Sequence, residues 1–159
     1  MADEMNMEQA QQVYQTICKA LDARNWQYDT REEDLSVHLG INGDDLPMDF
    51  FLQVDTKRQI LRLLSPMPFK MSEEKRIEGA VASAVANYGM VDGSFDYDLQ
   101  DGMVVFRISS TLRGCTLGPE QIYYLIDCGC AMVDLYNDRF FALNKGFLTL
   151  EAFIEKSKR

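Results

Sequence analysis

At 159 residues, 47% hydrophobic and 26% charged, the chain has the size and make-up of one ordinary globular domain able to bury a core of its own. Its formal charge of −9 repels phosphate backbones and anionic headgroups, which excludes nucleic acid and membrane surfaces as partners unless a concentrated basic patch exists. Lys57-Arg58 and Lys156 to Arg159 are too short and scattered to make one.

The start, MADEMNMEQAQQ, is acidic and polar, unlike a secretory signal or a transit peptide. No uncharged apolar run approaches the roughly 18 residues of a membrane span, so a cytoplasmic protein is expected. From Glu8 to Arg24 apolar residues fall at Ala10, Val13, Tyr14, Ile17 and Leu21, a helical stripe that Trp26 and Tyr28 close onto the core. The period then drops to two. Leu35, Val37, Leu39 and Ile41 alternate with polar residues as a half-buried strand, and NGDDLP breaks it. A second strand puts Met48, Phe50, Leu52 and Val54 on one face. After a turn at Thr56-Lys57-Arg58, QILRLLS makes a third strand, which Pro66 and Pro68 are expected to end because proline cannot donate to a ladder. Ser72 is placed to cap the next helix, with Ile77, Val81, Ala84 and Tyr88 as its buried stripe and Gly89 as a left-handed stop. The rest of that helix is small: Gly79, Ala80, Ala82, Ser83 and Ala86.

The stretch SFDYDLQDGMVVFR, residues 94–107, holds three aspartates within six positions. As a calcium loop starting at Asp96 it fails, because Asp101 stands where the sharp-turn glycine belongs and Arg107 where the bidentate glutamate belongs. As a hairpin turning at Asp101-Gly102 it pairs Phe95 with Ile108, Tyr97 with Phe106 and Leu99 with Val104, and sets Asp96 opposite Arg107. The aspartates then form the solvated face. Beyond a loop from Thr111 to Gly118, Pro119 opens a helix along Ile122, Leu125, Ile126, Gly129, Met132 or Val133, and Tyr136, stopped near Gly146. A short terminal helix docks through Phe153 and Ile154. No repeat or linker divides the chain, so one domain over residues 1–159 is expected. The order α-β-β-β-α-β-β-α-α, with hairpin-joined strands, predicts an α+β fold: an antiparallel sheet packed by helices.

Chemistry is sparse. His38, the one histidine, falls on the polar side of its strand without a nucleophile or orienting carboxylate at a suggestive spacing. Cys128 and Cys130 flank Gly129; two residues apart on a helix they diverge by about 200° and do not converge on one ion. Four cysteines in a chain of this length read as reduced thiols rather than a disulfide scaffold. The acidic clusters Glu32-Glu33-Asp34 and Asp44-Asp45 read as solvated turns. No phosphate loop or nucleophile elbow is present. The expectation is therefore no enzyme, no catalytic residue, no metal site and no cofactor. An apolar surplus is the stronger signal. Phe51, Met103 and Val105 fall on the polar sides of their strands, as must Leu64 or Leu61 in the third strand, so that face is covered by the protein's own helices, by a second copy or by a bound peptide. Phe51, Leu64, Met103 and Val105 are the candidate protein-interface residues.

The run MPFKMSEEKRIEGAVASAVANYGMVDGSFDYDLQDGMVVFRIS resembles the YbjN family of bacterial sensory-transduction regulators. Pro66 and Pro68, Arg76, the pair Asn87-Tyr88, the GSFDYDLQDG hairpin, Arg107 and the Pro119-Glu120 helix start carry the resemblance. DLYNDRFFALNKG, with Asp134, Tyr136 and Gly146, is similar to the family's closing segment. The likeness spans roughly residues 30–155 and is distinctive over 66–109. It implies a fold like that of type III secretion chaperones, small acidic homodimers that hold a partner polypeptide against apolar patches, and it brings no catalytic residues. Residues and resemblance together predict a non-catalytic interaction module, a regulator or adaptor, forming a homodimer and binding a protein partner. The alternatives are a secretion-type chaperone for one specific polypeptide, or a regulator responsive to a small ligand or metal.

Overall fold

The computed structural model describes residues 5–158. Helix α1 (Met7–Ala23) leads into a short strand β1 (Asp29–Arg31), then β2 (Ser36–Asn42), β3 (Pro47–Asp55) and β4 (Ile60–Lys70). Helix α2 (Arg76–Tyr88) precedes the hairpin of β5 (Ser94–Tyr97) and β6 (Met103–Thr111); α3 (Pro119–Lys145) and α4 (Leu150–Ser157) close the chain. The predicted element order holds, with β1 as an addition. Its three residues, Asp29, Thr30 and Arg31, are all exposed and carry no apolar alternation from which to read a strand.

The six strands form one antiparallel sheet in the order β1-β2-β3-β4-β6-β5. Burial alternates along the strands, so that Val37, Leu39, Phe50, Leu52, Leu61, Leu63, Val104 and Phe106 are buried on one face. The helices pack there. At 27 residues, α3 is about 40 Å long and lies across β3, β4 and β6. Gly129 lets it come close: a Cβ there would stand 2.9 Å from Phe50 Cε1 and 3.2 Å from Leu63 Cδ2. Farther along, Phe95, Tyr136, Phe140 and Phe153 pack edge to face or tilted, which ties β5 and α4 onto the same helix.

Five local expectations are corrected. Pro66 and Pro68 do not end the third strand; β4 runs on to Lys70. Its pairing with β3 stops at Phe51↔Leu64, and beyond that point it pairs with β6 only, through an irregularity between Pro66 and Lys70. The prolines thus occupy a stretch with one partner strand, where a missing donor is tolerated. The hairpin register differs by two residues. Phe95 pairs with Phe106, Asp96 with Val105 and Tyr97 with Val104. The turn is longer than two residues: Gly102 N–H donates to the Asp98 carbonyl, and Asp98 N–H to that of Met103. A two-residue shift leaves every side chain on its expected face. Only Leu99 leaves the ladder for solvent. Arg107 therefore reaches Asp96 diagonally, with its Nε 2.6 Å from Oδ2 and Nη2 3.0 Å from Oδ1. Asp98 and Asp101 build the turn itself, accepting from the Gln100 and Met103 N–H groups.

The remaining corrections concern α2. Ser72 makes no side-chain cap; a 3₁₀ turn (Glu73–Lys75) leads into the helix, and Gly89 closes it at φ −95° rather than in the left-handed region. More consequentially, the helix is turned over. Gly79, Ala82, Ser83 and Ala86 are its buried residues, while Ile77 is 69%, Val81 40% and Tyr88 96% exposed. The reason is closeness. A Cβ on Gly79 would meet Tyr97 Oη at 2.7 Å and Met71 Cγ at 2.9 Å, so only small side chains fit between this helix and the sheet margin.

Candidate functional site

The four predicted interface residues lie on the strand positions away from the helices, and none of them is fully buried. Phe51, 38% exposed, is paired with Leu64, and Leu64 with Arg107 in the next strand. Val105 pairs with Pro66, one step along the same face. Phe51, Leu64 and Val105 thus form a continuous patch across β3, β4 and β6. Met103 stands apart from Phe51, opposite Lys70 beyond the irregularity, and lines a hollow under the hairpin with Val105, Asp96 and Leu99.

His38 belongs to this outer face and is better partnered than its sequence context shows. Its Nε2 is 2.8 Å from Asp49 Oδ1, its Nδ1 is 3.6 Å from Asp29 Oδ2, and its ring stacks on Phe51 at 4.6 Å between centroids. The orienting carboxylates thus come from neighbouring strands. The partners are two carboxylates and an aromatic ring, none of them a hydroxyl or thiol nucleophile, and the arrangement is a tie between β1, β2 and β3.

The two neighbouring thiols face different surroundings. Cys128 approaches the Asp92 carbonyl; Cys130 lies against the connector before β1 and the end of β2. Burial raises both pKa values, that of Cys130 to about 11, so neither is a thiolate at neutral pH. Among the described residues no group of three His, Cys, Asp or Glu side chains is placed to hold a metal ion. The acidic clusters have structural work: Glu32–Asp34 form a 3₁₀ turn, and the Asp44 N–H donates to Asp134 Oδ1 at 2.9 Å, tying the β2–β3 turn to α3. No helix among the described residues is long and apolar enough to cross a membrane.

Two features were not legible as functional from the sequence. The outward side of α2 forms, with α4, a groove of about 610 Å³ lined by Val81, Ala84, Val85, Tyr88, Ile154 and Lys158. Periodicity found this stripe but assigned it to the core, since a helix bearing an interface has the same period as one facing inward. The second feature is Asn87. Its amide accepts from the Phe95 N–H at 2.7 Å and donates to the Phe95 carbonyl at 3.0 Å, as a neighbouring strand would. Asn87 stood out through the resemblance, but nothing local announces a side chain that mimics a backbone.

A one-sided helical layer on a six-stranded antiparallel sheet defines an α+β protein with the type III secretion chaperone-like fold. Two solved structures share it. YbjN, described as a putative transcription regulator from E. coli, superposes with a TM-score of 0.59 at 12% identity over 79% of this chain and 92% of its own. A chain of the HopA1–SchA chaperone–effector complex gives a TM-score of 0.54 at 12% identity over 84% and 98%. The family model described as "Putative bacterial sensory transduction regulator" matches residues 14–142, and the chain belongs to this YbjN family. Comparison of the sequence with curated proteins gives no match.

Proposed function

We propose that this protein is a non-catalytic interaction module, a regulator or adaptor that acts by binding other polypeptides as a homodimer. The observation that carries the reading is the apolar stripe of α2. A helix that turns Ile77, Val81 and Tyr88 to water and small residues to the core leaves a large exposed apolar surface. The occupant of this groove is a second copy. Among the described residues, the one charged side chain lining it is Lys158, ion-paired with Glu155. In a molecule of net charge −9 this is a surface where two copies meet without opposing carboxylates. The outer patch of Phe51, Leu64 and Val105, with Met103 beyond it, is the contact for a different polypeptide. The chaperone–effector complex among the structural neighbours supports a partner of that kind.

Light scattering behind size exclusion tests the first assignment. Wild-type protein is expected as a dimer at micromolar concentration and Val81→Asp as a folded monomer. A wild-type monomer, or a variant that dimerises as well as wild type, refutes it. Affinity capture from native cytosol with stoichiometry tests the second: one stoichiometric partner is expected with wild type, and Phe51→Asp with Val105→Asp is expected to lose it while remaining dimeric. Retention of that partner by the double variant rejects the patch.

A further inference from the structure

β1 covers only part of the outer edge of β2. The Val54 N–H donates to the Leu35 carbonyl. In an antiparallel ladder the direction alternates, so Leu39 and Ile41 also turn their backbone groups to β3, while Ser36, His38, Gly40 and Asn42 turn theirs outward. β1 pairs Arg31 with Ser36 and Asp29 with His38 and reaches no farther. Gly40 and Asn42 are left with N–H and C=O groups facing away from the sheet and, among the described residues, no strand beside them. Next to them a groove of about 380 Å³ runs between β2 and the connector 25–27, lined by Trp26, Gln27, Leu39, Ile41, Asp127 and Cys130.

Backbone groups at two-residue spacing select an extended chain, and a neighbouring apolar groove selects one side chain of that chain. Charge selects its flanks. Asp49 lies opposite Gly40, Asp127 lines the groove, and exposed Asp44 and Asp45 follow Asn42. Arg24 and His38 answer Asp127 and Asp49, which leaves the surroundings acidic. A second copy pairing edge to edge would set these carboxylates against themselves. We propose that the β2 edge at Gly40–Asn42 takes up an extended segment of a partner polypeptide by strand addition, with an apolar side chain in the Trp26–Ile41 groove and lysine or arginine on either side of it. This rests on the reading that the protein works by binding a polypeptide, and it adds the partner's chemistry.

Trp26, the one tryptophan of the chain, lines the groove and reports on it. The probes are two blocked hexapeptides, one alternating lysine with valine and one alternating glutamate with valine. The lysine peptide is expected to change Trp26 fluorescence saturably and to slow amide exchange at Gly40 and Asn42 by at least about tenfold, and the glutamate peptide to bind at least about tenfold more weakly. Gly40→Pro should abolish the response, because it removes an outward N–H and none to β3. Should that variant fail to fold, the exchange experiment on wild type decides alone. Equal response to both peptides, no saturable response, or protection elsewhere than Gly40 and Asn42 overturns the proposal. Protection of those amides without peptide, rising with protein concentration, also overturns it in favour of self-pairing. A failure here with Val81→Asp monomeric and the Phe51 and Val105 variant inactive leaves the proposed function standing.

Discussion

The two edges of the sheet are treated in opposite ways. At the β5 edge, α2 lies alongside and Asn87 fills the place of a missing strand, satisfying both backbone groups of Phe95. At the β2 edge, three exposed residues of β1 pair as far as His38 and stop, leaving Gly40 and Asn42 open. An open edge is a template for any extended chain and is usually blunted. This protein has the means to close an edge, and uses it on one side only. The contrast teaches where binding is suppressed and where backbone is left to recognise an incoming strand.

The largest expected effect comes from unsealing the closed edge. Asn87→Leu keeps the branched outline of the side chain but leaves a part-buried N–H and C=O of Phe95 without partners, at an expected cost of about 2–3 kcal/mol in urea unfolding. Phe95 is buried against Phe106, Tyr136 and Phe140, so water does not readily replace the lost amide. The variant is also expected to aggregate faster than wild type, since both edges are then open. If Asn87→Leu is as stable as wild type, the amide is incidental and the comparison fails.

How much of this was readable from the sequence depends on how local the cause is. The alternation from Leu35 to Ile41 and from Met48 to Val54 fixed both strands and their faces, because period two is a property of the backbone itself. The hairpin's faces came out right although its turn did not: Asp98 and Asp101 spend their carboxylates on turn N–H groups, which lengthens the loop by an even number of residues. For α2 the local signal was sound and the inference was not. The same stripe serves a core or an interface, and the decision lies in the contact of Gly79 with Tyr97 and Met71, residues distant from it along the chain. The patch of Phe51, Leu64 and Val105 was legible as apolar residues out of phase. The Gly40–Asn42 edge was not, because openness is defined by the strand that is missing beside it.

A smaller effect tests how firmly the open edge is presented. Asn42 is followed by the β2–β3 turn, which Asp134 holds to α3 by accepting from the Asp44 N–H; a Cβ on Gly43 would collide with the same carboxylate. Asp134→Ala is expected to cost about 1 kcal/mol and to speed exchange of the Asn42 amide more than that of amides at the β5 edge. Uniform acceleration at both edges would mean that Asp134 serves general stability rather than the shape of the β2 end.

The smallest effect lies at the sealed edge and depends on pH. Asp101, at the hairpin turn, bonds Lys70 of β4 and accepts from the Met103 N–H, and these contacts hold its carboxyl below the ordinary carboxylate range, Lys70 being the main cause. A depressed folded-state pKa stabilises the fold above the unfolded value of about 4, and that contribution disappears as pH falls through the folded value. Asp101→Asn retains an oxygen for the Met103 N–H and removes only the charge that faces Lys70. Since the group is exposed, salt screens it and the expected shift in urea midpoint is small. Wild type should exceed the variant at pH 7 in low salt, and the two midpoints should converge toward pH 3. A gap that widens in acid would mean that the Lys70–Asp101 pair does not stabilise the hairpin, leaving Asn87 as the main tie that holds the β5 edge closed.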